Sequence, residues 1–170
     1  MPNWAEGSIR IRGKRGNIIR FLQKELTPLF ALKDDFEERP IQIEDNCGGW
    51  ELILRRDPDT ESKVYFKGSN RQFIEFDSDL EISGEFSDDQ KVQNRDQVIY
   101  IPGFHGAWNV DYSFFKEKAV QHKVDVRIFV WERGMQWSSV TTWYRDGTVD
   151  ETSITYANWL WDSPLPDYGG

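Results

Sequence analysis

The chain predicts an α+β fold, and three observations lead there. Segments of apolar alternation outnumber segments of helical spacing. The two helical segments lie one near the start and one past the middle, and each follows a strand-like run. Turn-forming Gly, Pro and Asp-Gly groups recur at short intervals, so neighbouring strands are joined as hairpins and the sheet is mainly antiparallel. At 170 residues the chain fits one domain and can bury a core without disulfide or metal staples.

Taken in order, Gly7–Gly13 alternates Ile9 and Ile11 with polar residues, a half-buried strand bounded by glycines. Across Asn17–Leu26, the residues Ile18, Phe21, Leu22 and Leu26 recur at helical spacing, and Pro28 closes the pattern. Residues 33–49 are acidic and broken by Pro40 and Gly48-Gly49, a loop with at most a short strand at 41–43. Strands follow at Trp50–Arg56, Lys63–Lys67, Gln72–Asp77 and Asp79–Ser83, separated by Asp57-Pro58 and Gly68-Ser69-Asn70. A polar loop at 87–96 leads to the short strand Gln97–Ile101, which Pro102-Gly103 is expected to stop. The second helix is expected at Asp111–His122 with Asp111 or Ser113 as cap. Val124–Trp131 alternates most strictly of all, Gln136–Arg145 is its hairpin partner, Asp146-Gly147 is a turn, and Ser153–Asn158 is the last strand.

Two helices against one mainly antiparallel sheet make a sandwich. A ferredoxin-like arrangement, with both helices on one face and the strands between 50 and 83 inserted in the middle, is the simplest match. The expected domain is 1–162, with residues 163–170 as a flexible tail rich in Pro and Gly.

Composition narrows the functional classes. Mean hydropathy is -0.67, and no run reaches the length of a membrane span. No basic-then-apolar leader opens the chain, so no secretory signal is expected. One Cys and two His leave no Cys-rich or His-rich metal site. Eight Trp, six Tyr and eleven Phe are an unusual load, which reads as an aromatic sheet core or as a stacking surface for bases or sugars. The net charge of -8 is unevenly spread. Residues 1–33 carry seven basic and two acidic side chains, 34–49 one basic and six acidic, and 75–89 seven acidic and no basic. Phosphate contact needs basic groups, so a chain this acidic is not expected to bind nucleic acid directly.

Among candidate site residues, Glu75, Asp77, Asp79, Glu81, Glu85, Asp88 and Asp89 form an acidic stretch able to engage a basic partner. Alternating acids on a strand share a face, so Asp77, Asp79 and Glu81 could also hold a divalent cation for a small hydrolase. His105, on a glycine-flanked loop, is a candidate general base with no evident partner, and His122 falls where it complements a helix dipole. Cys47 lacks a catalytic frame, and no phosphate loop, nucleophile elbow or dinucleotide fingerprint is present. Arg10, Arg12, Lys14, Arg15 and Arg20 make a basic stripe, with Arg10 and Arg12 on one face of the first strand. Sheets with exposed aromatics bind RNA in this way, although the signature of RNA-recognition modules is absent. Trp4, just before the first strand, is read as a structural anchor that ties the N-terminus down.

The opening Met1-Pro2-Asn3-Trp4 and the strand ending at Gly13 resemble a bacterial mobile-element family found in phages and plasmids, whose members carry a YubB-type ferredoxin-like domain. Ala5 stands where that family's opening has a Cys. Trp108 before a helix, and Glu132-Arg133-Gly134 after an alternating strand, are similar to a second part of the family pattern. The resemblance covers about residues 1–26 and 97–161. It implies a fold and a habitat, with no activity attached.

These readings lead to an expectation of a non-enzymatic, cofactor-free interaction protein in the bacterial cytoplasm. Its acidic face would engage a basic host protein. A metal-dependent hydrolase and a nucleic-acid-binding sheet are the competing classes.

Overall fold

The computed structural model describes residues 3–28, 51–54, 63–69, 71–77, 79–83, 94–165 and 167. Their order is β1 (Trp4–Gly13), α1 (Arg15–Glu25), β2 (Leu26–Pro28), β3 (Glu51–Leu54), β4 (Lys63–Phe66), β5 (Gln72–Glu75), β6 (Leu80–Ser83), β7 (Gln97–Ala107), α2 (Tyr112–His122), β8 (Asp125–Glu132), β9 (Trp137–Trp143), β10 (Val149–Thr155) and α3 (Trp159–Asp162).

Eight strands form one antiparallel sheet in the order β10-β9-β8-β1-β7-β5-β4-β2, while β3 and β6 pair separately. This corrects the expected ferredoxin-like sandwich of two helices and inserted strands: the described residues form one large sheet, a separate strand pair and three small helices. An unpaired edge exposes a row of N–H and C=O groups. On one side β5, β4 and β2 satisfy the edge of β7 in series, and on the other β9 and β10 extend β8. The central strands therefore serve as a template for the rest and do not form a closed four-stranded unit.

β1 lies at the centre, with β7 on one side and β8 on the other. Ile9 faces Ile101 and Ile128, and Ile11 faces Ile99 and Val126, all buried. α1 buries Ile18, Phe21 and Leu22 as their spacing predicts. Leu26 departs from that expectation: it leaves the helix in an extended conformation and opens β2 opposite Phe66. On α2, Asp111 accepts the Phe114 N–H at 3.0 Å, and Lys123 ends the helix at φ 56. Much of the aromatic load is core. Phe66 meets Phe115 at 5.2 Å between ring centroids, and Phe115 meets Trp143 at 5.3 Å.

Pro102-Gly103 does not end β7, which runs on to Ala107. From Gly7 to Ile9 the partners step from Phe104 back to Ile101, so β7 carries one extra residue there. Pro102 has no N–H to lose and Gly103 takes φ +70, which suits both to a bulge. The bulge changes the parity of β7: Val98 and Tyr100 face outward before it, His105 and Ala107 after it. The last strand begins at Val149, earlier than expected. Its turn is closed by Gly147 N–H to the Tyr144 carbonyl at 2.9 Å and by Asp146 accepting from Thr148.

Candidate nucleic-acid interface

Because Ile9 and Ile11 point at the helices, Arg10 and Arg12 point the other way. Register carries this parity across the sheet: Arg10 lies opposite Tyr100 on β7 and Arg127 on β8. Among the described residues, no side chain on a helix is in ring or ion-pair contact with Arg10. Tyr100 is 54% exposed and Val98 59%. The Arg10 guanidinium sits 5.8 Å from the Tyr100 ring centre and 5.3 Å from that of Phe129, so it is held between two aromatic rings. Phe129 continues to Trp131, their rings near parallel at 25° and 6.4 Å apart. Arg127 is steadied by its Nε donating to Thr142 Oγ1 at 2.9 Å.

A hollow of about 160 Å³ opens between Arg10, Arg12, Val98, Asp125, Arg127 and Thr142. Three guanidinium groups line it against one carboxylate, so its local field favours an anion. Asp125 is shared between Arg12, in the hollow, and Arg145, beside it, so Arg10 and Arg127 carry the net positive charge. Arg12 reaches its Oδ2 at 2.6 Å, and Arg145 binds its Oδ1 at 2.9 Å while also holding Asp96. Burial pushes the Asp125 carboxyl up, but the side-chain and backbone hydrogen bonds from Arg145, with that from Arg12, outweigh it and bring the pKa from 3.8 to about 2.

A folded pKa below the unfolded one contributes stability that is complete above the unfolded value and is lost as pH falls through the folded one. A depression of this size is worth about 2 kcal/mol. Thermal unfolding of Asp125→Asn should begin below wild type at neutral pH. The gap between the two midpoints should close as pH falls to about 2, and a gap independent of pH would contradict the account.

On the far side of the bulge the same face turns aromatic. His105 stacks on Phe73 at 5.0 Å with 7° between planes, and Trp4 stands edge-on to Phe73 at 5.3 Å. Lys63 lies 5.0 Å over the Phe73 ring. Burial lowers the His105 pKa, and Lys63 adds to this, against the raising pull of Glu6 and Glu75. Glu75, 3.5 Å from His105 Nε2 and 3.6 Å from Lys63, is the partner that the sequence did not identify.

The remaining acids are not gathered into a site by this face. Asp77 and Asp79 are exposed between β5 and β6, and Glu81 is exposed on β6 opposite Ile53. Glu85, Asp88, Asp89 and Cys47 lie outside the described residues. Among the described residues, no group of three His, Cys, Asp or Glu side chains is arranged to hold a metal ion. His122 lies in the last turn of α2, as expected from the sequence, but its ring is turned to a partner on α1. It is buried, with Nε2 2.6 Å from Glu25 on α1.

The two parts of the mobile-element resemblance meet in space. Trp108 N–H donates to the Asn3 carbonyl at 2.8 Å, and a Cβ on Gly134 would lie 3.1 Å from the Asn3 amide nitrogen. Glu132 accepts from Gly134 N–H at 2.8 Å and from Met135 N–H at 2.6 Å, so this buried carboxylate holds the β8–β9 turn.

Arg10 and Arg12 are legible in the sequence as one face of a strand; Tyr100, Arg127, Phe129 and Trp131 join them only through the sheet. Alternation within Val124–Trp131 shows that Arg127, Phe129 and Trp131 share a face; only the register to β1 shows which face. No helix of the described residues is long and apolar enough to cross a membrane. The chain matches no family model, no curated protein and no solved structure.

Proposed function

We propose that the open face binds single-stranded nucleic acid, with bases on Tyr100 and its aromatic neighbours and phosphates on Arg10, Arg12 and Arg127. The observation that carries the reading is the Arg10 guanidinium held between Tyr100 and Phe129 on a sheet face where Tyr100 and Val98 are exposed. An aromatic ring stacks on any base, and a guanidinium fixed beside it meets the adjoining phosphate. The acidity of the whole chain acts weakly here, because charges beyond about 10 Å are screened at ordinary salt. Following the family resemblance, the proposal places the protein in a mobile element and in the cytoplasm of its bacterial host.

Docking of a basic host protein on the acidic stretch is the second reading. It is supported by the exposure of Asp77, Asp79 and Glu81. Glu75, engaged by Lys63 and His105, adds little to it.

Fluorescence anisotropy with a labelled oligonucleotide of mixed sequence tests the proposal. Binding should weaken with salt, with a log–log slope of about -2 if three phosphates are neutralised. Arg10→Ala should flatten that slope by about 0.7. Tyr100→Ala should weaken binding about tenfold or more and leave the slope unchanged. Absence of salt-sensitive binding, or variants that bind as wild type, would overturn the reading.

A further inference from the structure

A second hollow, of about 300 Å³, lies where the β4–β5 turn meets the N-terminus of α2. Of its lining, Gln72 points to the helix side of the sheet, because it alternates with the outward-facing Phe73. Ser69, Arg71, Gln72, Asn109 and Asp111 line it. Gln72 is 3% exposed, and its Oε1 is buried with no hydrogen-bond partner. Its Nε2 makes one long bond, 3.5 Å to the Asn109 carbonyl. A buried amide oxygen left unpaired is costly, and such a group commonly marks a place where something else donates.

The other walls define the donor. The Asn109 carbonyl and the Asp111 carboxylate add acceptors, and Asp111 uses Oδ1 for its own helix cap. Between Ala107 and Asn109 stands Trp108, at φ 64 and 55% exposed. The Arg71 guanidinium lies 4.7 Å over its ring. Arg71 therefore links a hollow that holds one unpaired acceptor to an exposed aromatic plane beside it.

We propose that this hollow takes a nucleotide whose base carries an exocyclic amino group. The amine donates to Gln72 Oε1, the base lies against Trp108, and the phosphate meets Arg71. A site built to receive an N–H discriminates strongly against an analogue that lacks it. The proposal goes beyond the open-face reading and does not depend on it, because a mononucleotide probes this hollow alone.

Calorimetric titration with paired mononucleotides is the test: CMP against UMP, and AMP against IMP. The amino-bearing member of each pair should bind about tenfold or more tightly. Gln72→Leu should abolish that preference, with circular dichroism and the thermal midpoint showing an intact fold. Arg71→Gln should weaken CMP and leave cytidine unchanged. Arg10→Ala and Tyr100→Ala should not alter the preference, which separates failure here from failure of the open-face reading. Equal binding of CMP and UMP, or no binding of either at about 10 mM, would overturn the proposal. So would an unchanged preference in Gln72→Leu.

Discussion

Gly103→Ala should destabilise the protein by about 3–4 kcal/mol, the larger part from displaced backbone. A Cβ at this position would lie 2.0 Å from the Glu75 carbonyl oxygen, a backbone atom of the neighbouring strand. The same residue holds φ +70, where a side chain adds about 1 kcal/mol of its own. Relief requires β5 to move away from β7 or the bulge to flatten. Flattening would reverse the parity of His105 and Ala107 and turn the outward ring of His105 toward the core. Urea unfolding measures the loss. An effect under about 1 kcal/mol would show that the bulge is not held as described.

Glu25→Ala should cost about 3 kcal/mol or more, as expected when one partner of a buried pair is removed. Glu25 and His122 are 5% and 3% exposed, and they join α1 to α2 through one 2.6 Å contact. Lys118 Nζ lies 3.7 Å from the other carboxylate oxygen. His122 Nδ1 is already buried without a partner. Removing the carboxylate leaves the imidazole with neither nitrogen bonded and deprives the Lys118 ammonium of this counter-charge. A double-mutant cycle with His122→Leu checks the origin of the loss. If the pair is the cause, the double variant should be more stable than the sum of the single losses predicts.

Local chemistry was the legible part of the fold. Period-two alternation located β1 and β8, because each has one face against the helices and one away from them. Asp111 and Asp146-Gly147 announced a helix start and a turn through the hydrogen bonds their side chains and backbone make. Sheet order was not legible. Whether Lys63–Phe66 and Gln72–Glu75 stack as a separate layer or extend the main sheet depends on the free edge of β7, a tertiary property. Pro102-Gly103 was read as a stop because both residues weaken a ladder, yet both are tolerated at a bulge. Leu26 kept helical spacing and still became strand, since pairing with Phe66 overrode the helix preference of Leu, as tertiary context readily does.

The site divides in the same way. Arg10 and Arg12 could be named because alternation within one strand puts them on one face. Tyr100 sat unremarked in a short apolar strand, and only the pairing of β1 with β7 brings it beside Arg10. The acidic run drew attention through its charge, a property visible in one dimension. The hollow beside Gln72 had no linear signal: it joins a turn near residue 70 to a helix start near 111.

The central position of β1 also governs how the chain can reach this state. Arg10 meets its neighbours Tyr100 and Arg127 only after 90 and 117 further residues have been made. Contacts so distant in sequence make folding slow, because chain closure must precede any gain from pairing. At ribosomal rates of about 5–20 residues per second, the first strand waits roughly 6–23 s for its second neighbour. During that interval Ile9 and Ile11 have at most one neighbouring strand, and the free side of the strand bearing them is an open template for other chains. A chain cut short of Trp131 never completes that second pairing, so truncation from the C-terminal side should yield aggregates in place of a smaller folded unit.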